Sequence, residues 1–168
     1  MPSQSASPPP AVTSVGKLLQ ALGAQGTPQE LSATLIRPAT VADELGCDAG
    51  AVAVASVFLS PADDALLVIS SASHRPDPIT LSALLGVPGI CAATEEQTAA
   101  ITGQHPLAVA PVAHPQPLDT MVDVDLSHYD NVWTTAGAPG WYVETSYAEL
   151  LRITAGEAAE VGDLSPRP

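Results

Sequence analysis

The residues of this chain whose types suit chemistry at neutral pH are few: four histidines, two cysteines, scattered hydroxyls and five Lys or Arg. Cys47 and Cys91 sit in no CxxC, so they form neither a redox motif nor half of a zinc site, and both read as small, partly buried apolar residues. His105 and His128 lie in polar segments at a spacing that no metal motif uses. His74 belongs to the polar corner Ser73-His74-Arg75-Pro76-Asp77, where a local ion pair and an N-cap by Asp77 stand against a phosphate contact by Arg75. His114 closes the run Ala110-Pro111-Val112-Ala113, and an imidazole there suits hydrogen bonding to substrate or water, or to a backbone group at a loop end. Ser56 and Ser70 lack the Gly-x-Ser-x-Gly frame of an activated serine. Asp63, Asp64, Glu95 and Glu96 fall at turns and helix starts and read as solvated caps. Trp133 and Trp141 read as core or pocket wall. No metal and no organic cofactor is expected.

Charge narrows the partners. The chain of 168 residues carries eighteen Asp or Glu against five Lys or Arg, a net charge of −13, which disfavours DNA and anionic membranes at long range. Lys17, Arg37, Arg75 and Arg152 form no cluster of the kind that grips a nucleic acid. Any nucleic-acid contact must therefore be local or have a partner supply the charge. No basic region followed by an apolar run opens the sequence, and the apolar stretch Gly50 to Leu59 is well short of the roughly 20 residues of a membrane helix. A cytoplasmic protein is expected.

At 46% hydrophobic residues but only 4% aromatic, the core must be built from Val, Leu, Ile and Ala. Residues 1–14 are rich in Ser and Pro and are expected to be a flexible tail; residues 157–168 are acidic and are expected to fray; residues 15–156 form one domain. Val15, Leu18, Leu19 and Leu22 predict a helix ending at Gly23, and Leu31 to Ile36 a strand. Thr40 with Asp43 suggests a capped helix stopped by Gly46. Val52–Leu59 and Ala65–Ile69, joined by Ser-Pro-Ala-Asp-Asp, predict a β-hairpin apolar on both faces. Asp77-Pro78 and the capping box Thr94-Glu95-Glu96-Gln97 open two further helices. Three short strands and a last helix from Ser146 complete the pattern. Strands and helices mix without strict alternation, so the fold class is α+β, a mixed and mostly antiparallel sheet flanked by short helices.

The order of these pieces resembles the YbaK/prolyl-tRNA deacylase-associated family. Thr40 to Cys47, Gly50 to Phe58, Ser73 to Asp77, Val109 to His114, Tyr129 to Trp133, Ala136-Gly137-Ala138-Pro139 and Glu149 to Thr154 carry the resemblance, which spans about Leu31 to Gly156. It implies a freestanding, trans-acting editing domain that hydrolyses a wrong amino acid from the acceptor end of an aminoacyl-tRNA, beside a prolyl-type or related synthetase. Such editing answers a physical limit, since a pocket rejects a slightly smaller amino acid by only about 1–3 kcal/mol.

Three positions depart from the family pattern. Aligning Gly50 with the glycine of Gly-x-Ile-x-Lys puts Val54 where the family has its lysine. Leu107-Ala108-Val109-Ala110-Pro111 stands in place of Gly-Gly-x-x-Pro, whose glycines permit close backbone approach. Gly140 stands where many relatives carry histidine. The resemblance thus implies a substrate pocket at Val54, Arg75, Leu107, Ala108, Val109, His114 and Gly137, with an altered centre. The alternative is a catalytically inactive relative that binds a ligand or a protein.

Overall fold

The computed structural model describes residues 7–31 and 37–162. At its centre are β2 (Val52–Leu59) and β3 (Ala65–Ser71), paired antiparallel without a bulge from Ala53↔Ser71 to Leu59↔Ala65. The turn between them closes on Ser60, whose Oγ accepts the N–H groups of Ala62 and Asp64 at 3.2 and 3.1 Å. Both strands are paired on both edges and covered over most of both faces, so their apolar runs are near continuous, as expected of central strands.

The remaining strands extend this hairpin. β6 (Val132–Thr135) runs parallel to the start of β2, and β7 (Trp141–Thr145) and β1 (Gln29–Glu30) follow beyond it, each antiparallel to its neighbour. On the other side β5 (Asp119–Asp123) is parallel to β3, and β8 (Glu157–Ala159) is parallel to β5. β4 (Cys91–Ala92) pairs with the far end of β2. The result is an α+β protein with one mixed sheet of eight strands.

Alternation along β2 sends its side chains to two different layers. Ala53, Ala55 and Val57 join Leu67, Ile69, Val122 and Leu150 of α5 (Tyr147–Thr154) in the larger core. Helix α1 (Pro10–Ala21) packs Val15 and Leu19 beside this layer against Val112 and Val143. On the opposite face α2 (Pro38–Leu45) covers Val52 and Tyr142 with Val41 and Ala42. Helix α3 (Pro78–Leu85) covers Phe58, Leu66 and Val68 with Leu81. The sheet between α2 and α3 stays uncovered. That gap is where a ligand has access.

The caps at Asp77, Thr94 and Ser146 form as the sequence suggests: Asp77 accepts from Thr80, Thr94 and Gln97 make a full capping box opening α4 (Glu95–Thr102), and Ser146 accepts from Glu149. Other boundaries move. Helix α1 begins at Pro10, inside the stretch read as tail, because a proline at the first helical position costs nothing there and Val12 and Val15 gain burial. Helix α2 likewise begins at Pro38, so the box expected at Thr40 and Asp43 does not form. The acidic end is held through residue 162: β8 pairs with β5, Val161 is fully buried and its carbonyl accepts the Asp77 N–H at 3.0 Å. Cys91 is exposed, contrary to its reading as partly buried. Of the strand expected at Leu31 to Ile36, residues 32–36 lie outside the described residues; Leu31 donates its N–H to the Gly140 carbonyl at 2.7 Å.

Candidate active site

The uncovered stretch of sheet is the floor of a cleft of about 550 Å³. Val54 and Ser56 point into it from β2, and Ser70, directly across the ladder from Val54, does so from β3. Val54 is 37% exposed, which is unusual for an apolar residue of a central strand. Pro38, at the start of α2, and the corner His74-Arg75-Pro76 form one wall. Ala92, Ala93, Glu95, Thr98 and Pro106 form the other. Small and apolar surfaces dominate, with hydroxyls at the floor.

The stretch that leads into β2 is shaped by one glycine. A Cβ on Gly50 would run into the Tyr129 hydroxyl, so the close approach of Tyr129 requires glycine there. The Gly50 carbonyl in turn accepts the Ser71 hydroxyl at 2.7 Å, tying the start of β2 to the end of β3.

The corner is anchored from beneath. His74 Nε2 lies 2.6 Å from Asp123 Oδ2 and His74 Nδ1 lies 3.1 Å from Asp125 Oδ2. Asp123 is fully buried and also accepts the N–H groups of Ser71 and Asp125 at 2.9 and 3.0 Å. Pro76 bridges Gly162, and a Cβ on Gly162 would come within 2.5 Å of the His74 ring. Asp77 then caps α3, and hydrogen bonds from the Thr80 hydroxyl and amide hold its carboxyl below the usual range. Backbone on both sides of Arg75 is thereby fixed, while its own side chain is exposed at the cleft and makes no ion pair or hydrogen bond among the described residues.

His74, Asp123 and Asp125 are also the group whose ligand atoms fall within 4.8 Å of one another among the described residues. Their oxygens and ring nitrogens are turned on each other and on backbone N–H groups. The cluster is accounted for as the support of the corner, and no metal is assigned to it.

The other residues singled out from sequence are not among those that line this cleft. Leu107 is 52% exposed and does not enter it, so the opening beside Val54 is not filled by that side chain. Ala108 and Val109 are buried. The Ala108 N–H goes to the His105 carbonyl at 2.9 Å, the Gly137 N–H to the Ala108 carbonyl at 2.9 Å, and the Ala110 N–H to Gln104 Oε1 at 2.7 Å. Val109 accepts the Thr135 hydroxyl at 2.6 Å. The amides at 108 and 110 are therefore engaged within the protein. Gly137, at φ 99°, serves the backbone there and packs against Ala11 of α1. His114 Nε2 donates to the Ala110 carbonyl at 2.8 Å, and burial pushes its pKa down while that hydrogen bond works the other way.

Structure thus brings Val54 and Arg75 together at the cleft, while Leu107, Ala108, Val109, His114 and Gly137 are not part of its lining. It adds Ser56 and Ser70, which sequence reasoning set aside for want of a nucleophile motif, and Thr98, which it passed over. One signal was available: Ser56 is the polar residue on the Val54 face of an otherwise apolar strand.

Residues 35–153 match the aminoacyl-tRNA editing domain. This chain belongs to that family. No curated relative matches it in sequence. Among solved structures, it is similar to a proposed trans-editing enzyme for prolyl tRNA synthetase, at 28% identity, a TM-score of 0.88, and coverage of 94% of this chain and 99% of that one. A scaffold protein from computational epitope grafting is 25% identical over 93% of this chain and 99% of its own, with a TM-score of 0.84. A hypothetical protein at 23% identity and a TM-score of 0.83, covering 89% of this chain and 99% of that one, shares the fold. Among the described residues no helix is long and apolar enough to cross a membrane.

Proposed function

We propose that this protein is a trans-acting aminoacyl-tRNA deacylase whose cleft takes the aminoacylated end of the tRNA and hydrolyses the ester. The observation that carries this reading is the open cleft over β2, with Val54 at its floor and Arg75, exposed and without a partner among the described residues, at its rim, in a chain of the editing family. In a protein of net charge −13, a single guanidinium at the mouth suits one phosphate near the 3′ end and not a long RNA contact. The tRNA body then needs a second protein, and the similarity to a prolyl-type trans-editing enzyme supports an aminoacyl-tRNA synthetase in that place. Water is the nucleophile in this reading, positioned by the substrate itself and the hydroxyls of the floor.

A second reading is favoured by one observation. An aliphatic Val54 occupies the floor where the family carries a cation, which suits an inactive relative that binds an aminoacyl group or a partner without turnover. Deacylation assays with alanyl-, cysteinyl- and seryl-tRNA separate the two. Turnover above the buffer rate on any of them supports the enzyme; buffer rates on all three leave the binding module.

A further inference from the structure

Strand β2 is paired along its β3 edge without interruption, but its other edge is broken. There β6 pairs only at Val52↔Trp133 and Ala53↔Thr134. β4 pairs only at Phe58↔Ala92 and Leu59↔Cys91, extended by the Ala93 N–H to the Val57 carbonyl at 2.9 Å. Peptide groups of alternate residues in a strand face alternate edges. The Val52 carbonyl faces β3, where it accepts the Ala72 N–H at 2.9 Å, and the Val57 carbonyl faces β4. Ala55 shares the parity of Ala53 and Val57, so its N–H and C=O point into the break. Among the described residues neither group has a strand or loop partner. Ala55 is only 9% exposed, and it lines the cleft. Buried backbone polar groups are paired in roughly 90% or more of cases, so this donor and acceptor, without a partner among the described residues, are available to a group that enters the cleft.

In a hydrogen-bonded antiparallel pair, two residues exchange both N–H···O bonds. One aminoacyl residue carries the matching set, an α-amino donor and a carbonyl acceptor separated by a single carbon. We propose that the Ala55 peptide group recognises the aminoacyl moiety by such an exchange, its N–H donating to the acyl carbonyl and its C=O accepting from the α-amino group. The inference rests on the deacylase reading and names the part of the substrate that the cleft floor reads. It needs no cation at position 54, and it selects for a free α-amino group whatever the aminoacyl side chain.

The test is a titration of the 15N-labelled full chain with 3′-(alanylamino)-3′-deoxyadenosine, whose amide resists hydrolysis, and with the propionylamino analogue, which lacks only the α-amino group. The expected result is a downfield shift of the Ala55 amide proton at saturation and binding of the propionyl analogue weaker by about tenfold. Cross-peaks of Val54, Ser56 and Arg75 that move while Ala55 does not, or equal affinity for the two analogues, overturn the proposal and leave the deacylase reading standing. Cross-peaks unmoved throughout the cleft overturn both.

Discussion

Asp123, fully buried at the end of β5, holds His74 at 2.6 Å and thereby fixes the corner from which Arg75 reaches the cleft. The carboxylate is satisfied on every side: His74 and the Ser71 N–H share one oxygen, and the Asp125 N–H takes the other. Replacing it disrupts a buried network in place, which is costlier than losing a surface pair of the same composition.

Asp123→Asn is therefore expected to lower unfolding stability by about 2–4 kcal/mol, read from the midpoint of urea denaturation. The amide oxygen of the variant still accepts one of the Ser71 and Asp125 N–H groups, but its nitrogen cannot accept the other and presents a donor where a carboxylate oxygen stood. A loss of less than about 1 kcal/mol, the scale of an exposed ion pair, would mean that the corner is held by the Pro76–Gly162 bridge alone.

Val54→Lys places an ammonium on the cleft floor. The position is 37% exposed, so a longer side chain can reach the opening without overpacking the layers beneath α2 and α3. Charge-assisted contacts to a reacting ester are worth roughly 10²–10³ in rate, and the variant is expected to raise deacylation of at least one small-residue tRNA by between one and three orders of magnitude. No gain on any of the three substrates would place the deficit elsewhere in the cleft.

Much of this was legible in the chain itself. The β2–β3 hairpin follows from two β-branched runs around Ser60-Pro61-Ala62-Asp63-Asp64, and its register follows once the turn is fixed. The caps at Asp77 and Thr94 follow from local hydrogen-bond chemistry. By contrast, β1, β4 and β8 have two or three residues each, too short for any periodicity to register. The pairing of His74 with Asp123 joins residues far apart in sequence, and nothing local marks either of them as half of a pair. Ser56 and Ser70 illustrate the same limit: a serine in a strand looks alike whether it faces a neighbour or a cleft. The loop 107–110 is ambiguous in sequence for a physical reason, since small residues permit backbone approach to a ligand and equally permit backbone bonding to Gln104, His105 and Gly137.

Arg75→Gln tests the rim. Because the side chain is exposed and without a partner among the described residues, its removal breaks no hydrogen bond or ion pair among them, and the melting temperature is expected to change little. If it meets a phosphate, KM for the aminoacyl-tRNA rises by roughly three- to tenfold with kcat unchanged, and Arg75→Lys recovers part of the loss. The difference between wild type and variant should shrink as salt is raised, since exposed charge contacts are screened beyond about 8–10 Å at physiological ionic strength. A KM that does not respond to either substitution would take Arg75 out of the binding site.

His114 makes a prediction about pH. Burial is the larger influence on its ring and lowers its pKa below 6.5, while the hydrogen bond to the Ala110 carbonyl opposes that shift. In the unfolded chain the ring takes up a proton near its ordinary value, and in the folded protein only at lower pH. Between those two values the unfolded state binds more protons, so stability rises with pH across that window and falls as the solution is acidified below about 6.5. Once pH drops under the folded value the loss levels off. His114→Gln keeps a side chain that can donate to Ala110 but removes the titration, so its stability should be flatter than wild type between about pH 7 and pH 5. Parallel denaturation curves for the two proteins across that range would mean that the ring reaches solvent in the folded state and is not the buried, neutral donor that ties Ala110 in place.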